Sequence, residues 1–392
     1  MRKYTYLLIF LLAVITVSCQ EEAKKNKQIT VKNSLAIDRS FETVTIDIAS
    51  LALKNKEGVV AILDAVTQTE VVSQEIDSDG DGVVDQILFQ PTIKANSEKI
   101  FDVILKEKIA IKGVDPDCYS RFVPERTDDY AWENNKVAFR TYGPVAQKMV
   151  EDGVKGGTLS SGIDAWLKRV EYPIINAWYK KTTDGTGSYH EDTGEGLDNF
   201  HVGVSRGVGG IAKKVDSTYH FSRNFVTWKN VHNGPIRTSF VLTYADWDAN
   251  GTMITEQKHI SLDYGSNFSR FEIVLKGTDT ISAGLTLHNN EGVVAVNEAN
   301  AWISHWETLD DSEIGTAIIT PKTIFIGSEH YVTSKKDESN LFVHLKVNDN
   351  KVIYYAGFGW KKAGEFTTKE AWENHLNLFS QCLETPLVAS IK

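Results

Sequence analysis

Between residues 29 and 105 the chain alternates short apolar, β-branched runs with polar breaks. Ile29-Thr30-Val31, Val44-Thr45-Ile46, Val59-Val60-Ala61-Ile62-Leu63, Glu70-Val71-Val72, Ile87-Leu88-Phe89 and Phe101-Asp102-Val103-Ile104-Leu105 recur at sandwich-like intervals. They predict an N-terminal β-sandwich domain over 29–110. From about Val215 the strand signals return, at 238–244, 259–262, 269–275, 341–345 and 351–355. Many of these runs alternate, and Gly or Asn-Gly turns separate them, which predicts a large antiparallel sandwich within a second unit, 111–392. Helix signals are few; 368–376 is the clearest. Residues 115–210 fit neither period. They are dense in Arg, Asp, Glu, Trp, Gly and His, and a long irregular stretch of that kind is usually functional. The expected fold class is therefore mainly β, with few helices.

The start of the chain reads as a targeting segment. Arg2 and Lys3 precede the apolar run 7–15, which is too short to span a bilayer and suits a signal peptide over 1–18. Thr16-Val17-Ser18-Cys19 resembles a bacterial lipobox, so Cys19 is the expected lipidation site. An ordinary signal peptide with an incidental Cys is the other reading. A lipid on Cys19 would anchor the chain to the outer membrane, on its surface or periplasmic face. Polar residues 19–28 then form a tether.

Composition narrows the partners. A formal net charge of -10 argues against nucleic acid, which wants a basic surface. The 9 Trp and 14 Tyr could stack on sugar rings or fill a large core. Cys118 and Cys382 are too few for a disulfide framework or a zinc set.

Three clusters could carry chemistry. Asp77, Asp79, Asp81 and Asp85, with Gly80 and Gly82, match the front of a calcium loop. Leu88 stands where a bidentate Glu belongs, so the choice is between a structural divalent cation, calcium, and a polar hairpin turn. The second cluster runs from Cys118 to Asn134. There Arg121 or Arg126 could hold a substrate carboxylate or sulfate, and Trp132 could offer a stacking face. An internally paired ion network is the alternative. The third spans Tyr189-His190-Glu191-Asp192-Thr193-Gly194-Glu195-Gly196-Leu197-Asp198-Asn199-Phe200-His201-Val202-Gly203, then Arg206-Gly207-Val208-Gly209-Gly210, with Asp164 and Trp166 upstream. It gathers possible bases, acids and a cation in one Gly-rich loop. A divalent metal on His190 and Asp192, or a plain connector, are its other readings. His288 and His305 could line a cleft, and His232 beside Arg237 sits at a turn.

These runs together, from Arg121-Phe122-Val123-Pro124-Glu125-Arg126 through Ser161-Gly162-Ile163-Asp164 to Tyr189-His190 and Gly194-Glu195-Gly196-Leu197-Asp198, resemble a family of Bacteroidetes polysaccharide-utilisation loci. The resemblance covers nearly the whole mature chain. It is nearest to the ulvan-oligosaccharide dehydratases of marine flavobacteria. It implies a galactose-mutarotase-like supersandwich and uronate-containing sulfated oligosaccharides as partners. It also implies removal of water from the non-reducing-end uronic acid, leaving a 4,5-unsaturated uronyl end. That β-elimination needs a base at C5, for which His190 or Tyr189 is expected. It needs an acid at O4, for which Glu195 is expected. It needs a partner for the sugar carboxylate. Arg121, Arg126 and Arg206 are expected there, with Trp132, Asp164, Trp166, Asp198 and His288 around the sugar. A polysaccharide lyase, a glycoside hydrolase using Asp164 and Glu195, and a non-catalytic glycan-binding lipoprotein are the rival readings.

Overall fold

The computed structural model describes residues 27–53, 58–107 and 116–392. The expected signal peptide and Cys19 lie outside these residues. The chain is mainly β, as expected, with strands in five sheets among the described residues.

The N-terminal unit is a two-layer sandwich. One sheet runs Val388–Ile391, Lys27–Lys32, Glu98–Lys106, Val59–Asp64, Glu70–Val71. The other runs Val44–Asp47, Gln86–Phe89, Ser73–Ile76. Alternation explains the layer between them: Val44 and Ile46 are buried while Thr45 and Asp47 are exposed. These residues join Ile29, Val31, Ile62, Phe89 and Phe101 in one core. Two expectations change here. Lys27 and Gln28, assigned to the tether, already belong to the first strand. The second unit does not keep its end either. Val388–Ile391 returns to pair with Lys27–Lys32, Ile29 opposite Ile391, and Ala389 and Ile391 pack on the first core.

The second unit is built on a large antiparallel sheet that contains Arg237–Tyr244, Met253–Asp263, Phe268–Lys276, Lys351–Trp360 and Ser312–Ile319. A second sheet runs Thr218–His220, Val208–Val215, Thr280–Thr286, Asn340–Lys346, Phe325–Tyr331. Their shared core includes Ile211, Phe240, Phe271, Ile303, Val343 and Tyr354. The helix expected at 368–376 is α3, Lys369–Glu384 in full, with the Thr368 side chain accepting from the Ala371 N–H as an N-cap.

The stretch 115–210, expected to be irregular, contains a five-stranded sheet. Its order is Gly196–Leu197, Asp164–Lys168, Ala138–Thr141, Asp129–Glu133, Tyr119–Val123. Helices α1 (Pro144–Glu151) and α2 (Ile175–Thr183) lie between its strands. Asp129–Glu133, Ala138–Thr141 and Asp164–Lys168 are buried at every position. Strands covered on both faces do not alternate. These also carry Asp129, Glu133, Arg140, Asp164 and Lys168, so they show no clean apolar run. Both strand signatures were masked by buried charge.

Candidate functional site

The site grows from the register of two strands of that sheet. Ala138–Thr141 and Asp164–Lys168 run antiparallel with Arg140 opposite Asp164, and residues directly opposite share a face. Arg140 Nε donates to Asp164 Oδ2 at 2.7 Å, and Arg140 Nη2 donates to Asp198 Oδ2 at 2.7 Å. Asp129 Oδ2 stands 3.6 Å from Nη1. One guanidinium therefore faces three carboxyl groups, and all four side chains are buried. The rings of Trp166, Tyr142 and Tyr189 enclose it at 5.2, 5.5 and 5.5 Å.

Burial opposes charge on Arg140, but Asp198, Asp164 and Asp129 outweigh it and hold its pKa well above the usual value. Two of the carboxyl groups are pushed toward their neutral form. Burial, then the charge of Asp198, pushes Asp164 well above the usual carboxylate range. Burial pushes Asp129 up to about 6. Asp164 Oδ2 is shared by Arg140 and by the Tyr142 hydroxyl at 3.3 Å. Its Oδ1 is buried with no partner among the described residues. An ionised carboxylate with a bare buried oxygen is costly. Burial therefore favours the neutral form of Asp164.

Above this floor lies a cavity of about 580 Å³, lined by Arg140, Tyr142, Asp164, His190, Asp198, His201 and Asp337 among others. The segment after Gly196–Leu197 supplies one wall. Its burial alternates: Asp198, Phe200 and Val202 are buried, while Asn199, His201 and Gly203 are not. Phe200 and Val202 join the large core, which turns His201 outward. Gly207 pairs with Ile163, just before the strand that carries Asp164. Its φ is +58°, and a Cβ there would stand 1.9 Å from the Ile163 carbonyl oxygen.

His190 is the best-defined group in the cavity. Its Nδ1 lies 2.6 Å from the Asp198 carbonyl oxygen. A carbonyl only accepts, so Nδ1 carries the hydrogen and Nε2 holds the lone pair of the neutral ring.

The other expected residues divide. Asp164 and Asp198 line the cavity with His190. Tyr189 is 1% exposed, and its hydroxyl accepts from Arg126 Nε at 3.0 Å and Arg140 Nη1 at 3.4 Å. It supports the floor and is not among the lining residues. Glu195 is also off the cavity, held by the Tyr172 hydroxyl at 2.9 Å and Trp178 Nε1 at 3.0 Å. Arg121 pairs with Glu125 and lies over the Tyr179 ring, while Arg126 is spent on Tyr189 and Thr127. Arg206 is 1% exposed, bonded to Ser161 Oγ and the Val204 carbonyl, with burial lowering its pKa to about 10. None of these three arginines is free to meet a ligand in the cavity. Trp132 and Trp166 are fully buried and cannot stack on a sugar. His288 sits behind the wall, with Nε2 on the His201 carbonyl oxygen at 2.9 Å and Nδ1 2.7 Å from Glu307 Oε1. His305 is buried. Asp192 pairs with Arg169, so it does not join His190 in a metal set.

In the acidic loop, Asp77, Asp79 and Asp85 each offer an oxygen within 4.8 Å of one another, which suits a hard cation. Asp81 stands outside that set and accepts from the Val83 N–H. Leu88 is fully buried in its strand, which explains why the loop lacks its last ligand. Cys118 and Cys382 are both free thiols.

A family model described as "Domain of unknown function (DUF4861)" matches residues 31–388. The chain belongs to the DUF4861 family. It is 55% identical over 398 residues, covering 100% of both chains, to "Uncharacterized protein P7" of Formosa agariphila. Among solved structures it is similar to an alpha-mannosidase from Enterococcus faecalis V583, with 11% identity and a TM-score of 0.45. It is also similar to a glycosyl hydrolase family 38 protein from Enterococcus faecalis, with 13% identity and a TM-score of 0.47. Each likeness covers 94% of this chain, which spans 46% and 48% of those two chains respectively.

Four titratable cavity residues of this DUF4861 protein were given no role by the sequence reading: Arg140, Tyr142, Asp337 and His201, the last although it stands in the Gly-rich run. Two had a signal. Arg140 interrupts the apolar run Val137-Ala138-Phe139, and a charge inside a strand demands a buried partner. The alternation Phe200-His201-Val202 turns His201 away from the core. Asp337 lies in a polar loop and had none.

Proposed function

We propose that this chain is an oligosaccharide dehydratase, a carbon–oxygen lyase. It removes the C5 proton and the C4 hydroxyl from the non-reducing-end uronic acid of ulvan oligosaccharides and leaves a 4,5-unsaturated uronyl residue. The observation that carries this reading is the fixed tautomer of His190, which leaves Nε2 as a base in a cavity it shares with Asp164, whose pKa burial raises.

In this reading His190 Nε2 takes the C5 proton, and the C5–H electron pair becomes the second bond of C4=C5. The C4–O4 bond breaks, and Asp164 in its neutral form gives its proton to the departing oxygen, which leaves as water. Asp164 thus takes the acid role first expected of Glu195, and Arg140 with Tyr142 holds its Oδ2. A general base of this kind contributes roughly 10²–10⁴ in rate.

The test is incubation of the soluble chain with saturated ulvan oligomers ending in a uronic acid, following ultraviolet absorbance and mass together. Enoate absorbance with loss of one water and no shortening is the expected result. Enoate with shortening would make the chain a polysaccharide lyase, saturated fragments a hydrolase, and no change a glycan-binding protein. His190→Ala should lose two or more orders of magnitude in turnover while keeping its fold by circular dichroism; near-wild-type turnover would sink the assignment. Outer-membrane anchoring through Cys19 belongs to the same proposal, and loss of membrane association in Cys19→Ala tests it.

A further inference from the structure

Elimination beside an ionised carboxylate is slow unless that carboxylate is neutralised, and the three arginines expected to do so are all committed away from the cavity. The cations left among the described lining residues are Arg140, His190 and His201. Arg140 is spent on Asp164, Asp198 and Asp129. In the reading above, His190 is the base. One group remains.

We propose that His201, gripped by Asp337, is the residue that receives the carboxylate of an acidic sugar and sets the specificity of the cavity for it. This rests on the function proposed above and names the group that recognises the substrate's acid. His201 Nε2 lies 2.9 Å from Asp337 Oδ2. A carboxylate only accepts, so Nε2 carries a hydrogen. The ring's other nitrogen, Nδ1, can then meet a second carboxylate, that of the ligand. An imidazole bonded to carboxylates at both nitrogens is stable only as the imidazolium, so binding an acidic sugar takes up a proton where the free ring is neutral.

The surroundings are built for this. The His201 side chain is 60% exposed at the cavity, while Asp337 is 19% exposed. Asp337 can reach the ring because residue 203 is glycine. Gly203 has φ +53°, and a Cβ there would stand 2.2 Å from Asp337 Oδ2. The main chain is fixed from behind: His288 Nε2 holds the His201 carbonyl oxygen, and Glu307 holds His288 Nδ1. His288 itself sits at φ +39°, a conformation rare outside glycine and typical of positions a structure over-determines. The titratable groups that line the cavity with His201 are Asp337 on the loop before Asn340–Lys346, His190 and Asp198 on its own segment, and Arg140, Tyr142 and Asp164 on the floor, while His288 after Thr280–Thr286 and Glu307 on Trp302–Leu309 lie behind its main chain.

The experiment uses a His190→Ala background, so that ligand is not consumed, and isothermal titration calorimetry. The probes are a saturated ulvan oligomer ending in a uronate and the same oligomer with that carboxylate reduced to the alcohol. The background should prefer the uronate by ~10-fold or more, the size expected of a hydrogen bond to a charged group. Its affinity for the uronate alone should fall as pH rises, with proton uptake visible in buffers of different ionisation enthalpy. Adding His201→Gln or Asp337→Asn should erase the preference and the uptake while binding of the reduced oligomer persists. Gly203→Ala, which keeps both side chains but displaces Asp337 from the ring, should do the same. An unchanged preference in folded His201→Gln and Asp337→Asn would overturn the assignment of His201 alone. Failure of the background to bind either oligomer would overturn it together with the proposed function.

Discussion

Asp129 provides the sharpest physical test of the buried cluster, because replacing a charged residue there should stabilise the protein. Its carboxyl is 1% exposed, accepts from the Tyr179 hydroxyl at 3.1 Å, and sits 3.6 Å from Arg140 Nη1. Burial outweighs these partners and raises its pKa from 3.8 to about 6. The folded state therefore holds the proton more tightly than the unfolded chain. Stability from this group is fully present below pH ~4 and is lost as pH rises through about 6. A rise of that size corresponds to about 3 kcal/mol of penalty at pH 7.5. Asp129→Asn keeps an acceptor for Tyr179 and carries no charge at any pH. It should be more stable than wild type at pH 7.5 by up to about 3 kcal/mol, and nearly equal to it at pH 4. Urea unfolding followed by tryptophan fluorescence at both pH values measures the difference directly. If Asp129→Asn were less stable at pH 7.5, or equally shifted at both pH values, ionised Asp129 would be a net stabilising partner of Arg140. The reasoning about burial would then be wrong.

Other outcomes follow from where the remaining side chains lie. Glu195→Gln should retain turnover on uronate-ended oligomers, whereas Asp164→Asn should lose it by roughly 10²-fold or more; the reverse pattern would restore Glu195 as the acid. Lys168 is fully buried, with Nζ bonded to Glu133 and to the carbonyl oxygens of Asn134 and Tyr172. Lys168→Met strands the Glu133 charge and should cost about 3–5 kcal/mol by chemical denaturation. Trp132, with Nε1 on Ser269 Oγ, is core rather than sugar platform. Trp132→Ala should therefore cost about 3–5 kcal/mol in stability, and any glycan affinity of the folded fraction should be unchanged.

The regular β segments were legible from sequence alone. Runs such as Val44-Thr45-Ile46-Asp47 and Arg237–Tyr244 have one face on a core and one toward solvent, so the side-chain period of two is written into their polarity. The helix over 368–376 was legible too; in the structure Thr368 caps it by accepting from a backbone N–H three residues away. So were the Gly-rich loop and three of its neighbours: His190, Asp164 and Asp198 do meet in one cavity.

What the sequence could not decide was which charged residues face that cavity and which face one another. Arg121, Arg126 and Arg206 look alike on paper as anion holders. Arg121 meets Glu125 only four residues on, but the partners of Arg126 and Arg206, Tyr189 and Ser161, come from segments distant in sequence. Trp132 and Trp166 are ordinary candidates for sugar stacking until their strands prove to be covered on both faces. The pairing of Val388–Ile391 with Lys27–Lys32 joins the ends of the described chain through a four-residue strand too short to announce itself. The Arg140 cluster and the reach of Asp337 to His201 exist only because separate segments converge. Local polarity records whether a residue faces water. It does not record which distant charge a buried side chain meets, because that depends on register and packing between segments far apart in the chain.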